Sequence, residues 1–444
     1  MNSKTNSNNF IRVICIILVA ALAFGLGFIT AKLIKSPSAK SFEWVVNTIN
    51  DYYYYDVDED YLISCAMDGG VEKALDQYSE YYTKEEYAEV LSSNSGSKAG
   101  VGISFSFIEN KGVLLNTVIG NSPAYISGLR RGTIIVSGVD KNGREKTFIS
   151  ANDFSSFIAS FSLGEEIHLC DDGGTVYSVA KSEYTASYAM LCTNQTAWGF
   201  TASSNGSLAL KEFRDERLSY LPDGSAYLSL SQFYGTVSWE VSKLMEKFSA
   251  QSCTSLILDL RGNGGGYLSD MQELTYIFTA DRKPDVSLVA YAEYKDGSRQ
   301  NFNAIKKREY NLLPKEAEVF VLANENSASA SEALMGALIS YEVIDYSSIY
   351  LSNYSNEYIK WMADQGYGVK NGSTYGKGIM QSTFNNLSTG EALKLTTAKI
   401  YWPNGKSIHG VGITAADGCN TVSAQWSVTL HDEELQLAVN NIYQ

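Results

Sequence analysis

The chain has 444 residues, 45% of them apolar and 19% charged, with 49 acidic residues against 35 basic ones, enough for two or three domains with real cores. Lys4, Arg12, Lys32, Lys35 and Lys40 precede any acidic residue, so the chain after position 40 carries 30 basic against 49 acidic residues, a net of −19. A surface of that sign repels phosphate backbones and excludes nucleic acid as a partner, while six scattered cysteines and three histidines (His168, His409, His431) give neither a disulfide framework nor a zinc cluster.

Polar residues 1–9 lead into an apolar segment, and the 19 residues 13–31 run without a charge between Arg12 and Lys32. That length crosses a bilayer as a helix. A cleavable signal peptide is the rival, with Ala21-Leu22-Ala23 at the cut. The apolar run continues well past that point. The expectation is therefore a cytoplasmic tail at 1–9, a signal anchor at 10–34, and everything downstream outside the cytoplasm.

Trp44, Val45, Thr48 and Ile49 fall at helical spacing and predict a helical region over 42–91. Residues 92–99, SSNSGSKA, read as a linker. Strand-like segments follow at 101–107, 113–118 and 133–139, with a glycine-closed helical turn at 121–132. From Ala226 the pattern alternates: strand 227–233, helix 239–248, buried strand 255–260, a helix after Gly266, strand 319–323 and helix 331–340. Such alternation predicts a layered α/β domain.

Three constellations carry chemistry. LILDLRGNGGG (256–266) runs a buried strand into a glycine loop, whose bare backbone N–H groups suit an anion or a developing oxyanion. It lacks the Lys-Ser/Thr ending of a nucleotide-binding loop. NSASASE (326–332) enters an apolar helix. Ser329 and Glu332 have capping-box spacing, which is a structural role in itself. A nucleophile fits the same place, because the Ala330 N–H can face the same reacting oxygen.

YGKGIMQ (375–381) sets Lys377 between two glycines. A surface turn explains an isolated lysine of this kind, but a buried one can lose its proton and act as a general base. Gln381 lies four residues on. That even offset places both side chains on one face of a strand, where the amide can hold the amine. A serine nucleophile with a lysine base is a known variant of the triad logic.

In this order the motifs resemble the carboxyl-terminal processing proteases, or tail-specific serine proteases, from residue 42 to the end. LDQYSEYYTKEEY (75–87) is similar to the family's amino-terminal helical signature. GVGISF (100–105) with NSPAYISGLRRG (121–132) resembles the carboxylate-binding loop and following helix of a PDZ domain. AYLSLSQF, ILDLRGNGGG, SASASE, YGKGIMQ and LTTAKIYWPNGKSIHGVGI (395–413) then follow in the family's sequence. The resemblance implies a ClpP/crotonase-like layered α/β protease core at 187–444, an inserted β-rich PDZ domain at 97–186, the helical region at 42–91 and one transmembrane helix.

The same resemblance implies Ser329 as nucleophile, Lys377 as general base, Gln381 as its orienting partner, and the N–H groups of Ala330 and Gly265 as oxyanion donors. Gly264 and Gly266 adjoin Gly265 and leave that last position open between neighbours. Gly100, Val101, Gly102 and Ile103 take the peptide in the PDZ groove. It implies no metal or organic cofactor. The partners are protein or peptide substrates held by their C-terminal tails, with the membrane contacted through 10–34.

Three departures from the family stand out. The 48-residue interval from Ser329 to Lys377 exceeds the family's usual spacing; the extra segment, 350–372, has a helix expected at 357–364 and is placed to cover the site. Gly132-Thr133 replaces a Gly-Asp, and AAD (415–417) stands where Pro-Asp is common. His409 reads as an ordinary strand-end histidine. Arg130 and Arg131 are candidates for coupling the PDZ segment to the core. Two other classes compete: a catalytically silent PDZ scaffold of the cell envelope, and a solute-binding ectodomain using the glycine loop.

Overall fold

The computed structural model describes residues 37–94, 97–202, 207–214, 218–364, 368–424 and 432–443. The expected tail (1–9) and anchor (10–34) lie outside them. Among the described residues no helix is long and apolar enough to cross a membrane. The chain divides into two compact units at Thr83/Lys84. The first contains helices α1 (Pro37–Tyr52) and α2 (Glu59–Ala74) and the short strand β1 (Glu80–Tyr82). Asp58 starts α2 by accepting from the Tyr61 N–H, a normal amino-terminal cap.

The second unit opens with α3 (Lys84–Asn94) and β2 (Ser97–Gly100). Six strands then build one antiparallel sheet: β3 (Ile103–Ile108), β4 (Gly112–Val118), β5 (Ile134–Val139), β6 (Glu145–Thr147), β7 (Glu166–Asp171) and β8 (Val176–Ala180). Helices α4 (Pro123–Ile126) and α5 (Ala151–Ala159) belong to this segment, and β9 (Ser182–Thr185) returns to pair with β2. The segment has its own core, including Val113, Leu115, Ile135, Phe154, Ile167 and Leu169. Strand β3 is the sheet's edge, and its Phe105 meets Phe154 of α5 edge-on at 4.7 Å. The Arg130 guanidinium donates to the Tyr125 and Leu129 carbonyls and lies over the Tyr125 ring. Arg131 is exposed.

The rest of the chain runs through β10 (Ala189–Cys192), β11 (Thr196–Ala202), β12 (Leu208–Arg214), β13 (Ser225–Leu230), α6 (Val237–Ala250), β14 (Ser255–Asp259), α7 (Leu268–Thr279), β15 (Leu288–Tyr294) and β16 (Arg299–Asn303). It continues with β17 (Glu318–Ala323), α8 (Ala330–Ser340), β18 (Ile349–Tyr354), α9 (Asn356–Asp364), β19 (Ile379–Asn385), β20 (Ala392–Tyr401), β21 (Asn420–Ala424) and α10 (Glu433–Ile442).

Eight strands make the central sheet, in the order β12-β11-β10-β13-β14-β17-β18-β21, parallel from β13 onward. Leu256 and Leu258 of β14 pack in the cluster that holds residues of α6, α7 and α8, while Ile257 packs with Leu435, Ala438 and Val439 of α10. Covering both faces buries all five residues of β14, which is why Leu256, Ile257 and Leu258 are apolar at consecutive positions rather than alternating ones. Strands β19, β20, β15 and β16 form a separate antiparallel ladder that carries the lysine segment.

Candidate active site

Adjacent parallel strands β14 and β17 end side by side, and their loops meet there; in open α/β sheets this carboxyl end is where sites form. The Leu260 N–H still bonds Leu322, after which the glycine loop begins. Asn324 ties the two loops together. Its Oδ1 accepts from Gly262 at 2.9 Å and from Asn326 at 3.1 Å. The carbonyl of Asn263 accepts from Ala328 N–H and from the Ser331 hydroxyl, and the Ser327 hydroxyl donates to Leu260.

These bonds sort the three serines of SASASE. Ser327 and Ser331 are fully buried and tied to the scaffold. Ser329 alone is half-buried at the surface. Its φ of 58° and ψ of −113° lie in the sparsely populated left-hand half of backbone space, a strain of about 1–3 kcal/mol held by the surrounding bonds. A serine on a strained strand-to-helix corner presents its hydroxyl outward, a geometry also found at the nucleophile elbow of α/β-hydrolases. Ala330 follows as the first residue of α8, where its N–H has no intrahelical acceptor.

Gly265 packs directly beneath this corner. A Cβ there would stand 2.8 Å from the Ala328 carbonyl and the Ala330 nitrogen and 2.9 Å from the Ser329 Cβ, and its φ is +98°. Its N–H, however, donates to Asn263 Oδ1 at 2.9 Å. In this conformation that N–H shapes the loop and is not offered to a reacting oxygen.

The lysine segment comes from the other ladder. The Tyr375 N–H reaches the Ser327 carbonyl, and Lys377 is half-buried. The flanking glycines now have a reason. A Cβ on Gly376 would lie 2.9 Å from the Gly412 nitrogen, and one on Gly378 would lie 2.7 Å from the His409 nitrogen. The backbone of 409–412 leaves room for hydrogen only. The His409 side chain is exposed.

Lys377 and Gln381 do not share a strand face as the even offset predicts. Strand β19 starts at Ile379, after the lysine, and a bulge between Met380 and Gln381 shifts its register. The Gln381 amide donates to Thr396 Oγ1 at 3.0 Å.

Glu332 joins all of this. It is fully buried in the first turn of α8. One oxygen, Oε2, accepts from the Ser329 N–H at 3.0 Å and the Lys377 N–H at 2.9 Å. The other, Oε1, accepts from the Thr374 hydroxyl at 2.6 Å and the Gly376 N–H at 2.7 Å. Two bonds meeting on one atom keep the Ser329 and Lys377 nitrogens within about 6 Å. Burial pushes the Glu332 carboxyl up from its usual value, and the four donors act against that rise. Sequence reading saw Glu332 only as a helix cap; its reach into 374–377 is a tertiary contact that spacing cannot announce.

Of the four proposed peptide-groove residues, Val101 is buried and Gly100, Gly102 and Ile103 are half-buried. Gly102 has φ +80° and presses on Ser122 at the start of α4. Among the described residues no group of three or more His, Cys, Asp or Glu could hold a metal ion.

A strained serine at a strand-to-helix corner, set beside a glycine loop on a layered α/β sheet, defines the serine-hydrolase class of site. The profile of Peptidase family S41 matches residues 224–344 of the chain. It is 24% identical over 424 residues to the Probable CtpA-like serine protease of Staphylococcus saprophyticus, covering 93% of this chain and 73% of that one. The corresponding Staphylococcus epidermidis protein is 27% identical over 388 residues, and there the chain spans just 64% of the relative's length. A solved structure of a Bacteroides fragilis protein assigned to the S41 proteases shares the fold, with a TM-score of 0.52, 15% identity and coverage of 90% and 96%. These likenesses bear out the resemblance to the carboxyl-terminal processing proteases.

Proposed function

We propose that the chain is a membrane-anchored serine endopeptidase that cleaves proteins outside the cytoplasm, with Ser329 and Lys377 as its catalytic pair. The observation that carries this reading is the strained Ser329 corner, held to the lysine segment through one buried carboxylate. Ser329 Oγ attacks the scissile carbonyl carbon as its proton passes to the Lys377 amine, which must start neutral. The oxyanion takes the Ala330 N–H, and Gly265 adds a second donor once its N–H leaves Asn263. Lys377 returns the proton to the departing amine, and water then hydrolyses the acyl ester. Gln381, its Nε2 given to Thr396, keeps Oε1 as an acceptor for the lysine amine.

The segment 97–186 is read as a PDZ domain that captures substrate tails. Its edge strand β3, beside α5, has the layout for adding a peptide strand. The anchor at 10–34 rests on the uncharged run alone.

Cleavage of an unfolded protein by the purified full-length chain tests this. Ser329→Ala and Lys377→Arg are expected to abolish turnover with the fold intact, because a guanidinium stays protonated and cannot serve as base. Wild-type activity should rise with pH, and His409→Ala should leave that limb in place. Full activity in Lys377→Arg, with the limb lost in His409→Ala, would make histidine the base. No cleavage by wild type would favour the silent scaffold.

A further inference from the structure

Glu332 has no part in the reaction as written, yet it carries more polar contacts than a helix cap needs. Its Ser329 bond alone would complete the return half of a capping box. The other three bonds leave the helix and go to Thr374, Gly376 and Lys377, 42 to 45 residues away in sequence. We propose that Glu332 is a positioning residue, a two-sided clamp that fixes the serine corner and the lysine segment against each other. The proposal rests on the Ser329/Lys377 reading and names what holds that pair in register.

The chemistry of the group fits the task. An ionised carboxylate is an acceptor only, with about four lone-pair sites on two oxygens. Here each oxygen takes two donors, one pair on Oε2 from the two catalytic segments and one pair on Oε1 from the lysine segment. Thr374 extends the clamp outward: its hydroxyl donates to Glu332 and accepts from the Ile413 N–H at 2.8 Å. The lysine segment is thereby gripped from both sides, by Glu332 and by the 409–413 backbone. Glutamine cannot copy this, since its NH2 would face two N–H or O–H donors and leave them unpaired. Aspartate is one methylene shorter and reaches one side of the clamp at most.

Loss of register between nucleophile and base costs rate rather than substrate affinity, and a displacement of one ångström is worth roughly 100-fold. The test compares full-length wild type, Glu332→Gln, Thr374→Val and the double variant, using a fluorescently labelled unfolded protein as substrate. Glu332→Gln should lose roughly 100-fold in kcat with KM nearly unchanged. Ser329 labelling by an alkyl fluorophosphonate should slow in parallel. Thr374→Val removes one arm and should lose less. The double variant should lose no more than Glu332→Gln alone, because both changes open the same clamp.

The losses must also exceed any fall in the folded fraction read by circular dichroism. A Glu332→Gln enzyme within twofold of wild-type kcat overturns the clamp, as does a loss that tracks unfolding alone in both single variants. Failure of the underlying pair looks different: Ser329→Ala or Lys377→Arg would then keep cleaving.

Discussion

Ser329 sits where an ordinary residue pays in backbone strain, and the atoms that enforce it are close enough to name. Gly265 allows the corner to rest on the glycine loop, since a Cβ would come within 2.8 Å of two backbone atoms of the corner. Gly265→Ala should therefore push the serine corner out of place and cost roughly 100-fold in kcat while the fold survives; hydrolysis rates beside circular dichroism spectra would decide. Gly336 makes a contrasting case. It lies inside α8, and a Cβ there would stand 2.1 Å from the ring of buried Trp402. Gly336→Ala should destabilise the chain by about 1–3 kcal/mol through overpacking, lowering its melting temperature without first altering the chemistry. Single residues were unevenly legible. The group of glycine loop, serine turn and lysine segment could be read from motif order, and the structure does bring the three together. The strain at Ser329 and the bulge before Gln381 could not, because each is imposed by neighbours distant in sequence.

Among the elements, β14, β17 and α8 were the plainest in the sequence, because each is largely buried and dense in apolar residues. Strands β10 to β12 and β20 went unread: β10 and β11 are largely buried and show no alternation, and β12 and β20 are mostly half-exposed or exposed. The carboxyl-terminal helix α10 was also missed, and its attachment explains a charge in an apolar motif. The side chain of Arg261, next to the glycine loop, is 1% exposed and bonds Asp259 and, across the molecule, Asp432 and Glu434 at the start of α10. Glu434 in turn bonds Ser352 on β18. Removing Arg261 would leave Asp259 buried and unpaired, so Arg261→Ala should cost about 3–5 kcal/mol, seen as a lower urea midpoint.

The Asp432 carboxyl gives that attachment a pH signature. Burial alone would raise it, but the Arg261 charge and hydrogen bonds outweigh burial and hold it well below the usual range. A depressed carboxyl stabilises the fold at every pH above its unfolded value near ~3.9, and the contribution fades as pH falls toward the folded value. Asp432→Asn should accordingly be less stable than wild type at neutral pH, with the gap in urea midpoint closing below about pH 4. An equal gap at both pH values would contradict the pairing.

Over the whole molecule, the segment carrying β3 to β8 is joined to the central sheet by a short, well-bonded passage. Gly120 bridges Ser187, and Asn121 donates to Thr185 and accepts from Ala202 of β11. The buried Glu240 of α6 takes the Ser187 hydroxyl and the N–H groups of Tyr188 and Ala189. The segment that carries β3 is thus tied to the central sheet. If tails are recognised by their free carboxylate, amidating a substrate's carboxyl terminus should raise KM more than it lowers kcat; equal cleavage of acid and amide would remove this segment from substrate selection. The central claim remains the pairing of Ser329 with Lys377, and active-site labelling tests it most directly. Treated with an alkyl fluorophosphonate and mapped by mass spectrometry, the full-length chain should carry the label on Ser329, faster as pH rises, and Lys377→Arg should take up almost none. Label on another serine, or undiminished labelling of Ser329 in Lys377→Arg, would contradict the account.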